Sequence, residues 1–505
     1  MGIPSYFRKI IQKYPGILSR TLQKKASALC FDFNCLVYRC LRSTNLRPYP
    51  AESIGEDKDK WEKELLHEVE LCVKEVWEEA GRPPQVYIAV DGVVPMAKIR
   101  QQRVRRFKSA WLRSGDSSSW DSNSITPGTE FMDRLSKMLK ELASRHRGWE
   151  VSDVREPGEG EHKILTWLRA GNLKEKGDVV VYGLDADLIL LTMLVGEQKN
   201  IPIFLLREKQ EFGGGNTVKQ EGKQEYQFMN IQEFQLRLGV KGYDQTMNYI
   251  ALMSLMGNDF LPHSITHKLN DDGHEYVLRE IRRGGELVTK EGKMNMNLFK
   301  EICSEWSKSE GDKLLHMIQK KRDQARRGVL QGMDEREGLP LKWDVESVLI
   351  DETTGELVEN WKDLYWDWIG GKEQCKRVCS EYVYGFQWIL DYYSGKSVRT
   401  DWMFPCWIPP LWSDLAAHTP VDYVEPVLGN VQPTPEEQLA MVLPLDSWDL
   451  VKNSSLRRLP YLAPQFWPIE FSFFSTGRKW LWECEALVPP LTAARLREIL
   501  EQAKQ

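Results

Sequence analysis

Val179-Val180-Val181-Tyr182-Gly183-Leu184-Asp185-Ala186-Asp187 reads as a short strand that runs straight into two acids. Consecutive β-branched and aromatic residues closed by a glycine describe a buried strand and its turn. Similar apolar runs recur at 28–33, 85–90, 149–154 and 201–206. Between several of them lie segments of helical periodicity at 61–80, 129–146 and 159–170. In 129–146, Phe131, Met132, Leu135, Met138, Leu139 and Leu142 share one face. Strand and helix alternating in this way predict an α/β domain over residues 1–270, with a mostly parallel central sheet flanked by helices.

The acids sit where such a fold keeps its ligands. Asp32 closes the first run, Asp91 follows the second, and Glu159 and Glu161 follow the third, 149–154, in Pro157-Gly158-Glu159-Gly160-Glu161-His162-Lys163. Asp259 lies in Gly257-Asn258-Asp259-Phe260-Leu261-Pro262, after the apolar helix 249–256. Four of these five blocks put an acid at the carboxyl end of a strand, on the edge where parallel sheets open their crevice. Taken singly, an acid after a strand is ordinarily a helix cap or a turn residue. Two blocks, however, carry acids in pairs beside glycine, which capping does not require. Seven carboxylates converging on one edge repel unless cations neutralise them, and hard oxygen donors suit two Mg²⁺ ions, or Mn²⁺.

Lys98–Lys108 carries six positive charges and no acid, soon after Asp91. On a helix Lys98, Gln102, Arg105 and Arg106 share one face, offering an ammonium, an amide and two guanidinium forks matched to a terminal phosphate. A solvated basic helix is the competing reading.

The net charge of −5, with 42% hydrophobic and 28% charged residues, describes an ordinary globular chain rather than a general polyanion binder. No apolar run reaches membrane-spanning length, so no membrane partner is expected. The first residues lack a signal-peptide core, and Tyr6 stands where myristoylation wants Ser or Thr. Nine scattered cysteines without a paired CxxC point to reduced thiols, hence a cytoplasmic setting with a nuclear one as alternative. Residues 114–124 and 213–222 read as polar surface loops, and 271–345 as a charged connector. From 346 the chain turns aromatic and Pro-rich, and most of its tryptophans are expected in packing.

Together these blocks closely resemble the XRN/Rat-type 5′→3′ exoribonuclease family. The match runs from Met1–Phe7 through Asp91–Lys98, Gln101–Arg103, Arg105–Phe107, Ile125–Met132 and the acidic blocks, then resumes in Gly385–Leu390, Pro435–Leu439 and, more weakly, 477–491. The resemblance implies a PIN/flap-nuclease-like core whose two-metal site is built by Asp32, Asp91, Glu159, Glu161, Asp185, Asp187 and Asp259. Lys98, Gln102, Arg105 and Arg106 match the family's pocket for a 5′-monophosphate, too small for a cap. A second region, 346–491, is expected to close the site over single-stranded RNA, leaving 492–505 as a tail. Tyr38 stands where the family has a base-stacking His, and Trp402 aligns with its second stacking aromatic, although one of two closely spaced tryptophans is missing there. The implied protein is a compact, monomeric exoribonuclease of RNA and mRNA decay, without a long C-terminal extension, releasing nucleoside 5′-monophosphates processively.

Two rivals remain open at this stage. A structure-specific flap or PIN-like DNA nuclease shares the clustered acids but not the basic pocket. A catalytically inactive RNA-binding scaffold would not be expected to keep every acid.

Overall fold

The computed structural model describes residues 2–3, 5–52, 55–113, 119–209, 224–327, 336–343, 347–420 and 431–504. Its centre is a seven-stranded sheet in the order β1-β7-β6-β5-β2-β3-β4. The strands are β1 (Leu18–Ser19), β2 (Ala28–Asp32), β3 (Gln85–Ala89), β4 (Trp149–Ser152), β5 (Val179–Tyr182), β6 (Ile203–Glu208) and β7 (Tyr226–Asn230). Strands β4, β3, β2, β5 and β6 are mutually parallel, and β7 and β1 add an antiparallel margin. The α/β reading with a mostly parallel sheet therefore holds.

Helices cover both faces of the sheet: α1 (Tyr6–Lys13), α2 (Asn34–Cys40), α3 (Gly55–Glu79), α5 (Glu130–Ser144), α6 (Gly160–Arg169), α7 (Asp187–Lys199), α8 (Ile231–Leu238) and α9 (Gly242–Ser254), whereas α4 (Met96–Arg113) packs mainly against the later half of the chain. The pleat sorts β2 cleanly. Leu29 and Phe31 pack with Leu36, Leu65 and Leu135 from α2, α3 and α5, whereas Ala28 and Cys30 face the core built with α6, α7 and α9. Helix α7 is apolar from Leu188 to Val195 because it is buried on all sides.

That second core continues into the later half of the chain. Charged as it is, the 271–345 stretch contains α10 (His274–Arg283), α11 (Met296–Ser307), α12 (Glu310–Arg326) and the short α13 (Pro340–Trp343). After α14 (Trp361–Asp367) comes α15 (Cys375–Ser394), whose Phe386, Ile389, Leu390 and Tyr393 join the same core as α7 and α9. Helices α16 (Trp412–His418) and α17 (Pro435–Val442) follow. The Ser-rich loop overlaps residues outside the described set at 114–118 and closes on a 3₁₀ turn at Ser122–Ser124, and the 213–222 loop lies wholly outside it. Among the described residues no helix is long and apolar enough to cross a membrane.

The strand order dictates where the chain can bind a ligand. From β2 the sheet grows through β3 to β4 on one side, then returns to β5 and β6 on the other. The carboxyl ends of β2, β3, β4 and β5 thus border a topological switch point, the crevice such sheets reserve for ligands.

Candidate active site

Each acid reaches the crevice by a local device. Asp32 is the last residue of β2 and is buried there. Gly183 lets β5 turn beside it: a Cβ at that position would lie 2.3 Å from Leu188 Cδ1 and 3.2 Å from Asp32 Cβ. Asp91 comes from the turn after β3, where its Oδ1 accepts from the Gly160 amide at 2.7 Å and its Oδ2 from Asn34 Nδ2 at 3.0 Å. Asp91 therefore does cap a helix, but across space, at the start of α6. Glu159 is the residue at the N-cap of α6, yet its side chain makes no cap hydrogen bond and turns into the site. Gly160 has no room for a side chain, since a Cβ would meet Asp32 Oδ1 at 2.7 Å and the Ala89 carbonyl at 2.8 Å. Asp259 follows α9 on a turn pinned by Asn258 Oδ1, which accepts from the Phe260 and Leu261 amides at 2.9 and 2.7 Å.

Among the described residues, two groups within this edge have ligand spacing. Oxygens of Asp32, Glu161 and Asp185 lie within 4.8 Å of one another, and so do ligand atoms of Glu159, Glu161 and His162, making Glu161 common to both. Asp259 takes the backbone amide of Gly2 on Oδ1 at 3.0 Å. Lys98 Nζ lies 2.5 Å from Glu159 Oε2 and 2.7 Å from Asp259 Oδ2. The second half of the chain also reaches in: the Tyr392 hydroxyl on α15 donates to Glu159 Oε1 at 2.9 Å.

The electrostatics are those of a crowded negative site. Burial pushes the Asp32 carboxyl well up, and Asp91, Asp185 and Asp187 add to it. Burial, then Asp187 and Glu159, do the same to Glu161. Asp187 rises to about 7, from burial and then Asp259. Asp259 goes the other way: Lys98 overcomes its burial and holds it low. Among the described residues of the acidic edge, Asp187 Oδ1 and His162 Nε2 are buried with no hydrogen-bond partner. A buried polar atom without a partner costs about 1–3 kcal/mol. Carboxylates kept from ionising by burial and then by one another, with unpartnered ligand atoms among them, fit divalent cations.

The basic helix departs from the solvated alternative, because most of α4 is buried. Its two faces do different things. Arg103 Nη1 donates to the Met441 carbonyl at 2.6 Å, Arg100 Nη2 to that of Cys406 at 2.6 Å, and Lys108 Nζ to those of Trp482 and Cys484, both at 2.8 Å. On the face singled out from sequence, Lys98 is engaged by the acids and Arg106 donates to Thr126 Oγ1. Gln102 is buried with Oε1 unpartnered, and Arg105 is partly exposed. Burial lowers Arg106 to about 10. Arg105 also lines a cavity of about 100 Å³ with Gly2, Asp259 and His263.

Of the two aromatic residues expected to stack on bases, Tyr38 is 37% exposed on α2. Trp402 requires a correction. It is 4% exposed, packed on Trp388 and Tyr384 at 5.4 and 5.3 Å between ring centroids, with its Nε1 donating to Glu381 at 3.2 Å. No ring face is left for a base, so Trp402 belongs to packing. Sequence reasoning assigned nothing to His162, Asn34 or Tyr392. His162 stands next to Glu161 and could have been found there; Tyr392 is 233 residues from its partner and gave no local signal.

Comparison with known proteins agrees with this architecture. Residues 1–209 match the family model described as XRN 5′-3′ exonuclease N-terminus, and residues 365–505 match that of the Xrn1 helical domain. The chain belongs to the XRN 5′-3′ exonuclease family. Similar curated proteins include human 5′-3′ exoribonuclease 1, 27% identical over 99% of this chain and 34% of the human protein. The Saccharomyces cerevisiae 5′-3′ exoribonuclease 1 is 25% identical over 99% of this chain and 43% of its own. A 5′-3′ exoribonuclease 2 from Candida albicans is 27% identical over 72% of this chain and 47% of its own. The chain thus spans between about a third and a half of the length of these relatives.

Proposed function

We propose that the chain is a metal-dependent exoribonuclease that removes nucleotides 5′→3′ from single-stranded, 5′-monophosphorylated RNA, in the service of RNA decay. The observation that carries this reading is the convergence of Asp32, Asp91, Glu159, Glu161, Asp185, Asp187 and Asp259 on one sheet edge beside the phosphate-compatible face of α4. The names of the relatives support the direction and the substrate.

Divalent cations held by these acids, Mg²⁺ or Mn²⁺, would activate water for in-line attack and stabilise the departing 3′ oxygen. The residues of the chain do the rest. Gln102, Arg105 and Arg106 hold the terminal phosphate, whose charge suits a buried Arg106 lacking a carboxylate partner. Lys98, one turn away, spans Glu159 and Asp259 and orients both. Seating the terminal phosphate there sets the next phosphodiester against the acids, so the end of the strand rather than its sequence is selected. Tyr38 offers an exposed ring on which a base can stack without regard to sequence. Helix α15 closes the site from the second half of the chain, with Tyr392 fixing Glu159.

The decisive experiment uses one 3′-labelled single-stranded RNA bearing a 5′-monophosphate, a 5′-hydroxyl or a cap, with Mg²⁺ or with EDTA. Loss of the monophosphorylated RNA alone, abolished by EDTA, is expected. Equal cleavage of all three would replace the end-selective pocket by an open site. Binding without cleavage under any divalent cation would favour an RNA-binding scaffold, and preference for a DNA flap a flap-type nuclease.

A further inference from the structure

His162 is the first residue after Glu161 on α6, and it is 8% exposed. One of its ring nitrogens and oxygens of Glu159 and Glu161 lie within 4.8 Å of one another. Its Nε2 is buried without a hydrogen-bond partner. The ring is not loose filler. It stacks on Tyr392 with centroids 3.8 Å apart and planes 28° apart, and Trp388 backs Tyr392 at 4.9 Å and 29°. The hydroxyl of the same Tyr392 whose ring makes this stack donates to Glu159. One side chain of α15 therefore orients both the imidazole and the carboxylate beside it, as the surroundings of metal ligands commonly do.

The two ligand groups differ in kind. Asp32, Glu161 and Asp185 offer oxygen only, whereas Glu159, Glu161 and His162 add an imidazole nitrogen. Oxygen-only sets suit Mg²⁺, which binds nitrogen poorly, and an imidazole shifts preference towards first-row transition cations. We propose that His162 is a nitrogen ligand to a divalent cation shared with Glu159 and Glu161, so that this half of the site favours a transition-metal cation over Mg²⁺. The inference rests on the reading of the acid cluster as a metal site. It divides that site into an oxygen-only half and a mixed half joined through Glu161.

The test is made on the full chain, stripped of metal and without RNA, with Mn²⁺ alone as the probe. Pulsed electron paramagnetic resonance on bound Mn²⁺ is expected to show coupling to a directly ligated nitrogen. Labelling histidine with ¹⁵N should convert that coupling, a readout that needs no variant. In His162→Gln the coupling should vanish and Mn²⁺ affinity fall about tenfold or more, with Mg²⁺ affinity changing much less. Tyr392→Phe, which keeps the stack, should retain the coupling. Mn²⁺ bound at the cluster with no nitrogen coupling, or coupling that survives His162→Gln, would overturn the role of His162 and leave the metal site standing. Failure of Mn²⁺ and Mg²⁺ to bind at all would overturn both.

Discussion

The acidic sheet edge and the basic helix α4 carry opposite charge a few ångströms apart, and the protein treats them differently. At the edge, carboxylates are packed together with Lys98 as the cation that touches two of them, and several are driven out of their ordinary ionisation range. On α4, Arg100, Arg103 and Lys108 are buried too, yet each ends on backbone carbonyls of the later half of the chain. Buried charge that finds hydrogen-bonding partners is architecture, and buried charge that lacks them awaits a ligand. The contrast even divides α4 itself. One face fastens the two halves of the molecule, and the other faces the acids.

The hardest way to break this comparison is Asp185→Ala with Asp187→Ala. Nuclease activity is expected to fall on the order of a thousandfold or more, while the metal-free protein keeps its fold because like charges have been removed. A large loss of melting temperature instead would mean that these acids are structural after all. Arg106→Gln against Arg103→Met separates the two faces of α4. The first should cut the preference for 5′-monophosphate over 5′-hydroxyl RNA by about 10–100-fold, the scale of a charge-assisted hydrogen bond at about 1.5–3 kcal/mol. The second should leave that preference alone and cost about 2 kcal/mol or more of stability, because buried carbonyls lose their donor. Equal effects from both would erase the distinction.

Smaller effects sharpen it. Tyr38→Ala should raise KM for single-stranded RNA by about 5–100-fold, given about 1–3 kcal/mol for stacking one base, with little change in melting temperature. Trp402→Ala should do the reverse. The smallest effect is in pH. Asp187, ordinarily near 3.8, sits near 7 when folded, so the metal-free fold binds a proton that the unfolded chain has released. Stability of that form should therefore decline as pH rises from about 4 and reach its full cost above about 7. Mg²⁺ binds the ionised form, so its gain in melting temperature should be larger at pH 8 than at pH 6; equal gains would remove Asp187 from the site.

The strands and their terminal acids were legible because both are local. A run such as Val179–Tyr182 followed by Gly183 carries its strand, its turn and its acids within nine residues, from 179 to 187. Register and topology then collected the acids without further instruction. The burial of α4 was not legible, since six cations in eleven residues look like a solvated face until carbonyls from 441 and 484 come into view. Trp402 was misread for a related reason: an aromatic in a polar stretch gives no sign that Trp388 and Tyr384 will enclose it. His162 had a local signal in its neighbour Glu161, whereas Tyr392 acquires meaning only against Glu159, across a separation that no sequence window spans.

Gly160 carries a consequence that belongs to genetics. A Cβ there would collide with the Ala89 carbonyl and with Asp32, and every missense change open to a glycine codon adds at least that atom. In a saturating mutational scan this position should have no tolerated neighbours, while Gly158, two residues earlier, whose Cβ would meet only Lys163 at 3.7 Å, answers to its backbone angle instead of its space. A lineage that loses Gly160 has therefore no one-step path to a working site other than reversion.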